Sequence, residues 1–163
     1  MPMKKLAPLL STAILFSVLF TAVYAAEVER EFKIALSDNE EVPARNTGAF
    51  GMAEVELKDL MLKFEEEVCN IQGVTQAHIH VGAIGTNGPI VIFLYGFDAT
   101  GAFSAEDCTR LSKGIATPAN LIPRSTIGIN TWDDFVAALL AGNTYVNAHT
   151  LAFPGGEIRG QLD

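Results

Sequence analysis

"AFGMAEVELKDLMLKFEEEVC", Ala49 to Cys69, decides the fold class. In its second half, Met61, Lys63 and Glu65 alternate with Leu62, Phe64 and Glu66. Successive side chains of an extended chain point to opposite sides, so this is the period of a strand. The first half reads as another strand. The join at Lys58-Asp59-Leu60 is short enough for a hairpin. An antiparallel pair is therefore predicted at the centre of the chain.

Working outward, the neighbouring segments read the same way. "EFKIALS" (Glu31–Ser37) alternates Phe32, Ile34 and Leu36 with polar residues, as a half-buried strand does. "DNEEVPARNTGAFG" (Asp38–Gly51) is rich in turn formers and reads as a loop. "PIVIFLYGF" (Pro89–Phe97) is a short apolar run with β-branched residues, predicted as a strand buried on both faces. "SAEDCTRLS" (Ser104–Ser112) is predicted as a short helix, capped by Ser104 with Asp107 three residues on. "TWDDFVAALLAGN" (Thr131–Asn143) is the clearest helix. Thr131 and Asp134 make a capping box, Trp132, Phe135, Val136, Leu139 and Leu140 form an apolar stripe, and Gly142 suits the C-terminal cap. Trp132 and its stripe are read as core. Two last strands follow, "TYVNAHT" (Thr144–Thr150) and "GEIRGQLD" (Gly156–Asp163). The fold class is all-β, an antiparallel Greek-key-like β-sandwich with one or two short helices in its connections.

The chain of 163 residues fits one domain behind a leader. "MPMKK" is positive, an apolar run follows, and Val23-Tyr24-Ala25 carries a signal-peptidase pattern. Residues 1–25 are read as a signal peptide and 26–163 as the mature domain, secreted or periplasmic. The competing reading is an uncleaved anchor, because the apolar run nears the ~18–20 residues that span a bilayer. Removing Lys4 and Lys5 with the leader takes the formal charge from −8 to −10. An acidic surface argues against nucleic acid, whose phosphates it repels, and mildly favours cations. Two cysteines in an exported chain, Cys69 and Cys108, read as a disulfide; two buried free thiols are the alternative. No CxxC spacing supports a cysteine metal site.

The chain has three histidines. His78 and His80 lie one residue apart in "VTQAHIHVGAIGTNGP" (Val74–Pro89), and His149 stands in "YVNAHT". On a strand His78 and His80 share one face and leave Ile79 and Val81 to the core, so the imidazoles are placed on a polar face or an open rim. Their Cα atoms would stand ~6.6 Å apart, from a rise of ~3.3 Å per residue. Two such rings can lean onto one ion about 2.0–2.1 Å from each nitrogen. Tyr145, Asn147 and His149 likewise share a face. If the two strands are neighbours, three imidazoles converge.

Four segments, "LSDNEEVPARNTGAFG", "AHIHVGAIGTNGPIVIFL", "LLAGNTYVNAHT" and "FPGGEIRGQLD", together resemble the CHRD domain, first named from chordin. The resemblance runs from about Phe32 to Asp163. It implies a β-sandwich outside the cytoplasm, as in chordin, an extracellular binding protein, and in exported bacterial and archaeal proteins. It implies little about chemistry. One departure is Ala44, where the family usually has a second proline after "EVP"; a slightly looser loop is expected.

Three neutral imidazoles with an open position suit copper first and zinc second, on the Irving–Williams order. Copper/zinc superoxide dismutase also places an HxH strand at its copper, a likeness of geometry only. Arg159 is read as attracting an anion near the metal or as part of a Glu157–Arg159 pair tethering the "NEEVP" loop. Glu157 is alternatively an acceptor fixing a ring tautomer, or a fourth ligand. Asn147 is expected to hydrogen-bond backbone near the site. Gly82, Gly85 and Gly88 are read as a tight turn, since a phosphate loop would need a lysine and a helix. Glu40-Glu41 and Glu65-Glu66-Glu67 are read as solvated faces or loop anchors. The leading expectation is an exported metal-binding protein, with storage, sensing or small-molecule redox chemistry open. The competing expectation is a non-catalytic interaction module whose histidines are structural.

Overall fold

The computed structural model describes residues 28–163, and the predicted leader at residues 1–25 lies outside the described residues. Glu29–Ser37 forms β1, Phe50–Lys58 β2 and Met61–Cys69 β3. The hairpin read from Ala49–Cys69 is present. Lys58 pairs with Met61 across a two-residue turn, in which Asp59 has φ of 54°. Ile71–Val81 is β4, Ile90–Tyr95 β5, Phe103–Ala105 β6 and Thr109–Ala116 β7. One helix, α1 (Trp132–Leu140), precedes β8 (Thr144–Thr150) and β9 (Ile158–Gln161). Among the described residues no helix is long and apolar enough to cross a membrane.

The fold is all-β and antiparallel, as read. The strands follow one path, β5-β4-β8-β9-β1-β2-β3-β7, with β6 added on β4. The two ends of that path, β5 and β7, come into contact. The result is a single sheet curled almost into a barrel, where a Greek-key-like sandwich was expected. Its inner face holds the core: Leu36, Val55, Leu57, Leu62, Val68, Ile79, Val146 and Ile158 are all buried.

Helix α1 lies against this core through Trp132, Phe135 and Leu139. The N-terminal box forms in both directions: Asp134 N–H donates to Thr131 Oγ1 at 3.2 Å, and Thr131 N–H donates to Asp134 Oδ2 at 2.9 Å. Val136 is only partly buried and Leu140 is 48% exposed, so the apolar stripe is narrower than its spacing implied. Replacing Thr131 with alanine is expected to lower stability by about 1 kcal/mol in a denaturant titration, through loss of the cap.

Three local readings need correction. "SAEDCTRLS" is not a helix. Phe103–Ala105 pairs with β4, and Thr109 onward pairs with β3. Between them Cys108 is bonded to Cys69, at a sequence separation of 39. Sheet pairing on both sides and a covalent tie outweigh a weak capping signal. In the chain-entropy picture, closing a loop of that size contributes on the order of 3–4 kcal/mol. "PIVIFLYGF" is a strand over Ile90–Tyr95, but it ends the sheet path and leaves Phe93 44% exposed, so it is not buried on both faces. Glu66 is no solvated residue: it points inward with Leu62 and Val68 and is fully buried.

Candidate metal centre

Strands β4 and β8 are neighbours, which the convergence of three histidines required. Their register sets Gln76 opposite His149, His78 opposite Asn147, and His80 opposite Tyr145. Ala77, Ile79, Val146 and Ala148 occupy the inner face and are buried in the core. By alternation, the three histidines, Asn147 and Tyr145 stand on the outer face. The imidazoles were expected on a polar face or at an open rim, yet His78 is 0%, His80 6% and His149 5% exposed. Loops cover it. The β1–β2 loop brings Glu41, the Gly82–Gly88 loop is tied to it by Asn87 Nδ2 donating to the Val42 carbonyl, and Pro154–Gly156 closes a third side.

Two tautomers are fixed by backbone. His80 Nδ1–H donates to the Gly88 carbonyl at 2.8 Å, and His149 Nδ1–H donates to the Pro154 carbonyl at 2.9 Å. Carbonyls only accept, so each ring keeps a lone pair on Nε2. His78 Nδ1 lies 3.1 Å from His149 Nε2. Since that Nε2 is an acceptor, His78 Nδ1 carries the proton and its own Nε2 is bare. Gly88 has to be glycine here, because a Cβ would overlap the Val81 carbonyl oxygen. The turn reading of the glycines thus becomes specific: Gly88 is the carbonyl that aims His80.

Burial holds all three rings below the usual imidazole range. Desolvation takes His78 down to about 3, reinforced by His149 and His80. Desolvation takes His80 to about 4, against the Gly88 hydrogen bond. His149 is lowered by burial, opposed by Pro154. The rings are therefore neutral at pH 7, the form that binds metal.

Among the described residues, His78 Nε2, His80 Nε2 and Asn147 Oδ1 are buried with no hydrogen-bond partner. Buried polar atoms left unpaired cost about 1–3 kcal/mol each, so three on one patch call for a ligand. One ligand nitrogen from each histidine lies within 4.8 Å of the others. The 3.1 Å between His78 Nδ1 and His149 Nε2 is spanned by a hydrogen bond without metal, and once the Nδ1 proton moves to Nε2 the two nitrogens stand at a spacing that fits donors about 2.0–2.1 Å from one ion. The third closes by a ring rotation toward the ~3.3 Å of a tetrahedral set. The donor set fits a borderline or nitrogen-preferring divalent ion.

The other expected residues are placed as follows. Asn147 hydrogen-bonds a side chain and not the backbone: its Nδ2 donates to Glu41 Oε1 at 3.3 Å. Arg159 is 2% exposed and stacks its guanidinium 3.4 Å from the centre of the Tyr145 ring. Tyr145 in turn stacks on His80, with 4.8 Å between ring centres and 11° between planes. Arg159 also donates to Asn87 Oδ1 and to the Ala83 carbonyl. Its charge thus stands one ring away from the histidines. Glu157 stays outside the cluster: its Oε2 accepts from Thr150 Oγ1 at 2.7 Å, and no ring nitrogen donates to it. The backbone carbonyls do the tautomer fixing considered for it.

Glu41 was missed as a site residue. It is 4% exposed, and burial raises its carboxyl above the usual range while Asn147 and Arg159 pull it back. The loop it sits on is anchored elsewhere by Asp38, whose Oδ2 accepts from Thr47 N–H and Gly48 N–H. A loop glutamate gives no periodic signal, and Glu40-Glu41 reads from sequence only as a solvated face or a loop anchor.

A family model described as the CHRD domain matches residues 32–162. Among curated proteins and solved structures, none matches the chain.

Proposed function

The chain belongs to the CHRD domain family, and on that footing we propose that it is an exported metal-binding protein that holds one ion, copper before zinc, through His78, His80 and His149. The observation that carries this reading is the cluster of three buried, neutral imidazoles from β4 and β8, with one nitrogen of each within 4.8 Å of the others and with His78 Nε2 and His80 Nε2 unpartnered. Burial that keeps them neutral removes proton competition at pH 7. Copper leads because N-donor sites follow the Irving–Williams order. The Cys69–Cys108 disulfide supports a location outside the reducing cytoplasm. Arg159, two rings away from the ion's position, would hold the local potential positive and favour small anionic species arriving there. The closed cover restricts any turnover to species of a few atoms.

The test is titration of the purified domain with Cu(II). One equivalent is expected to bind, giving a visible-range band and an EPR spectrum with coupling to three nitrogens. Weak, superstoichiometric uptake without nitrogen coupling would leave the histidines structural, and the domain an interaction module.

A further inference from the structure

Three nitrogens leave a metal ion one donor short of a closed set. On the outer face, His78 and His80 of β4 and His149 and Asn147 of β8 occupy four corners of one patch, with Asn147 directly opposite His78. Asn147 is 2% exposed, and its Oδ1 has no partner. Its amide is not free to turn. Nδ2 donates to Glu41 Oε1, and a carboxylate oxygen cannot accept from the amide oxygen, so Oδ1 faces away from Glu41. The side chain reaches the His80 ring and favours its protonated form; in the neutral ring Nε2 is a bare acceptor, as Oδ1 is. Two buried acceptors with no donor between them repel; a cation between them removes that repulsion.

Resting on the reading of the histidines as ligands, we infer that Asn147 Oδ1 is the fourth donor, and that Glu41 is a positioning residue that points it at the ion. The site is then three nitrogens and one neutral oxygen. Such a set keeps the charge of the ion uncompensated by its direct ligands, with the buried Glu41 carboxylate one residue removed. Gly156 belongs to the device: at φ of 117° it lies against the Glu41–Asn147 contact, where a Cβ would strike the Glu41 carboxylate and sit 2.6 Å from Asn147 Nδ2.

The experiment is Cu(II) binding and EPR on the wild-type domain, Asn147→Ala, Glu41→Ala and Glu41→Gln. Asn147→Ala is expected to lose at least about 10-fold in affinity, since removing a group that only orients a ligand already costs about 10–100-fold. It should shift the visible band and the parallel g value while keeping coupling to three nitrogens. Glu41→Gln retains an acceptor for the amide and should keep the wild-type spectrum; Glu41→Ala should move toward Asn147→Ala. If wild-type protein takes up no copper, the histidine reading itself falls. If it binds copper but Asn147→Ala matches it in spectrum and affinity, only the fourth-donor assignment falls. Should Asn147→Ala fail to fold, the Glu41 pair decides: identical spectra for Glu41→Ala and wild type overturn the assignment.

Discussion

Copper binding is expected to collapse in His80→Ala, with affinity falling more than about 100-fold, because removal of a residue that merely orients a ligand already costs 10–100-fold. His80 is the sharpest position to change. Its Nδ1 is held by the Gly88 carbonyl, so its Nε2 lone pair is set before any ion arrives. His78 differs, since its Nδ1 proton must first move to Nε2 if that nitrogen is to bind. His149 stands with His80, through Pro154. A second readout separates lost binding from lost folding. A ligand present at 100 times its dissociation constant adds about 2.7 kcal/mol to stability. Thermal unfolding of the wild-type domain should therefore rise on adding Cu(II), and that of His80→Ala should not move. A mutant that keeps three-nitrogen coupling and the same thermal shift would remove His80 from the ligand set.

The sequence was most legible where one period governed a whole element. Met61 to Glu66 alternate, and β3 forms. The same rule put His78, His80 and Asn147 with His149 on shared faces, and the observed register agrees. The helix from Trp132 was readable because its cap is local: Thr131 and Asp134 are three residues apart. What escaped was set by contacts distant in sequence. Ser104–Ser112 carries a weak helical cap, yet its conformation is decided by strands β3 and β4 and by Cys69. The outer face of β4 and β8 reads as solvent-facing from alternation alone. Its burial comes from loops that approach from far along the chain, as Glu41 does across 106 residues to Asn147. Alternation says which side a residue faces, and says nothing of what lies beyond that side.

Glu66 shows the same distinction and leads to a large pH effect. Alternation sets it with Leu62 and Phe64, on the face that becomes the core, although a run of three glutamates reads as a solvated stretch. Across the sheet it sits opposite Ala53 of β2 and Ser112 of β7, at a register shift next to Glu67. Among the described residues its single partner is the Ser112 hydroxyl, donating to Oε2 at 3.4 Å, and Oε1 has none. Desolvation raises this carboxyl to about 8, against a small opposing effect of Ser112. The folded protein therefore keeps Glu66 protonated at neutral pH, while the unfolded chain ionises it near 4.5. Its contribution to stability is full below about 4.5 and is lost as pH rises toward 8. At 1.36 kcal/mol per pH unit, the loss is on the order of 3 kcal/mol between pH 5 and 8. The histidines act in the opposite sense and in a lower window. Their folded values lie below 6.5, so they remove stability as pH falls from 6.5 toward 4. Metal-free protein should be most stable near the crossing of the two trends. Glu66→Gln keeps the shape and removes the proton equilibrium. Denaturant titrations from pH 5 to 8 should show the wild-type domain losing stability relative to Glu66→Gln with each step upward. Parallel curves for the two proteins would mean that the buried carboxyl ionises in place at little cost, and that the space around Ser112 is wetter than its geometry indicates.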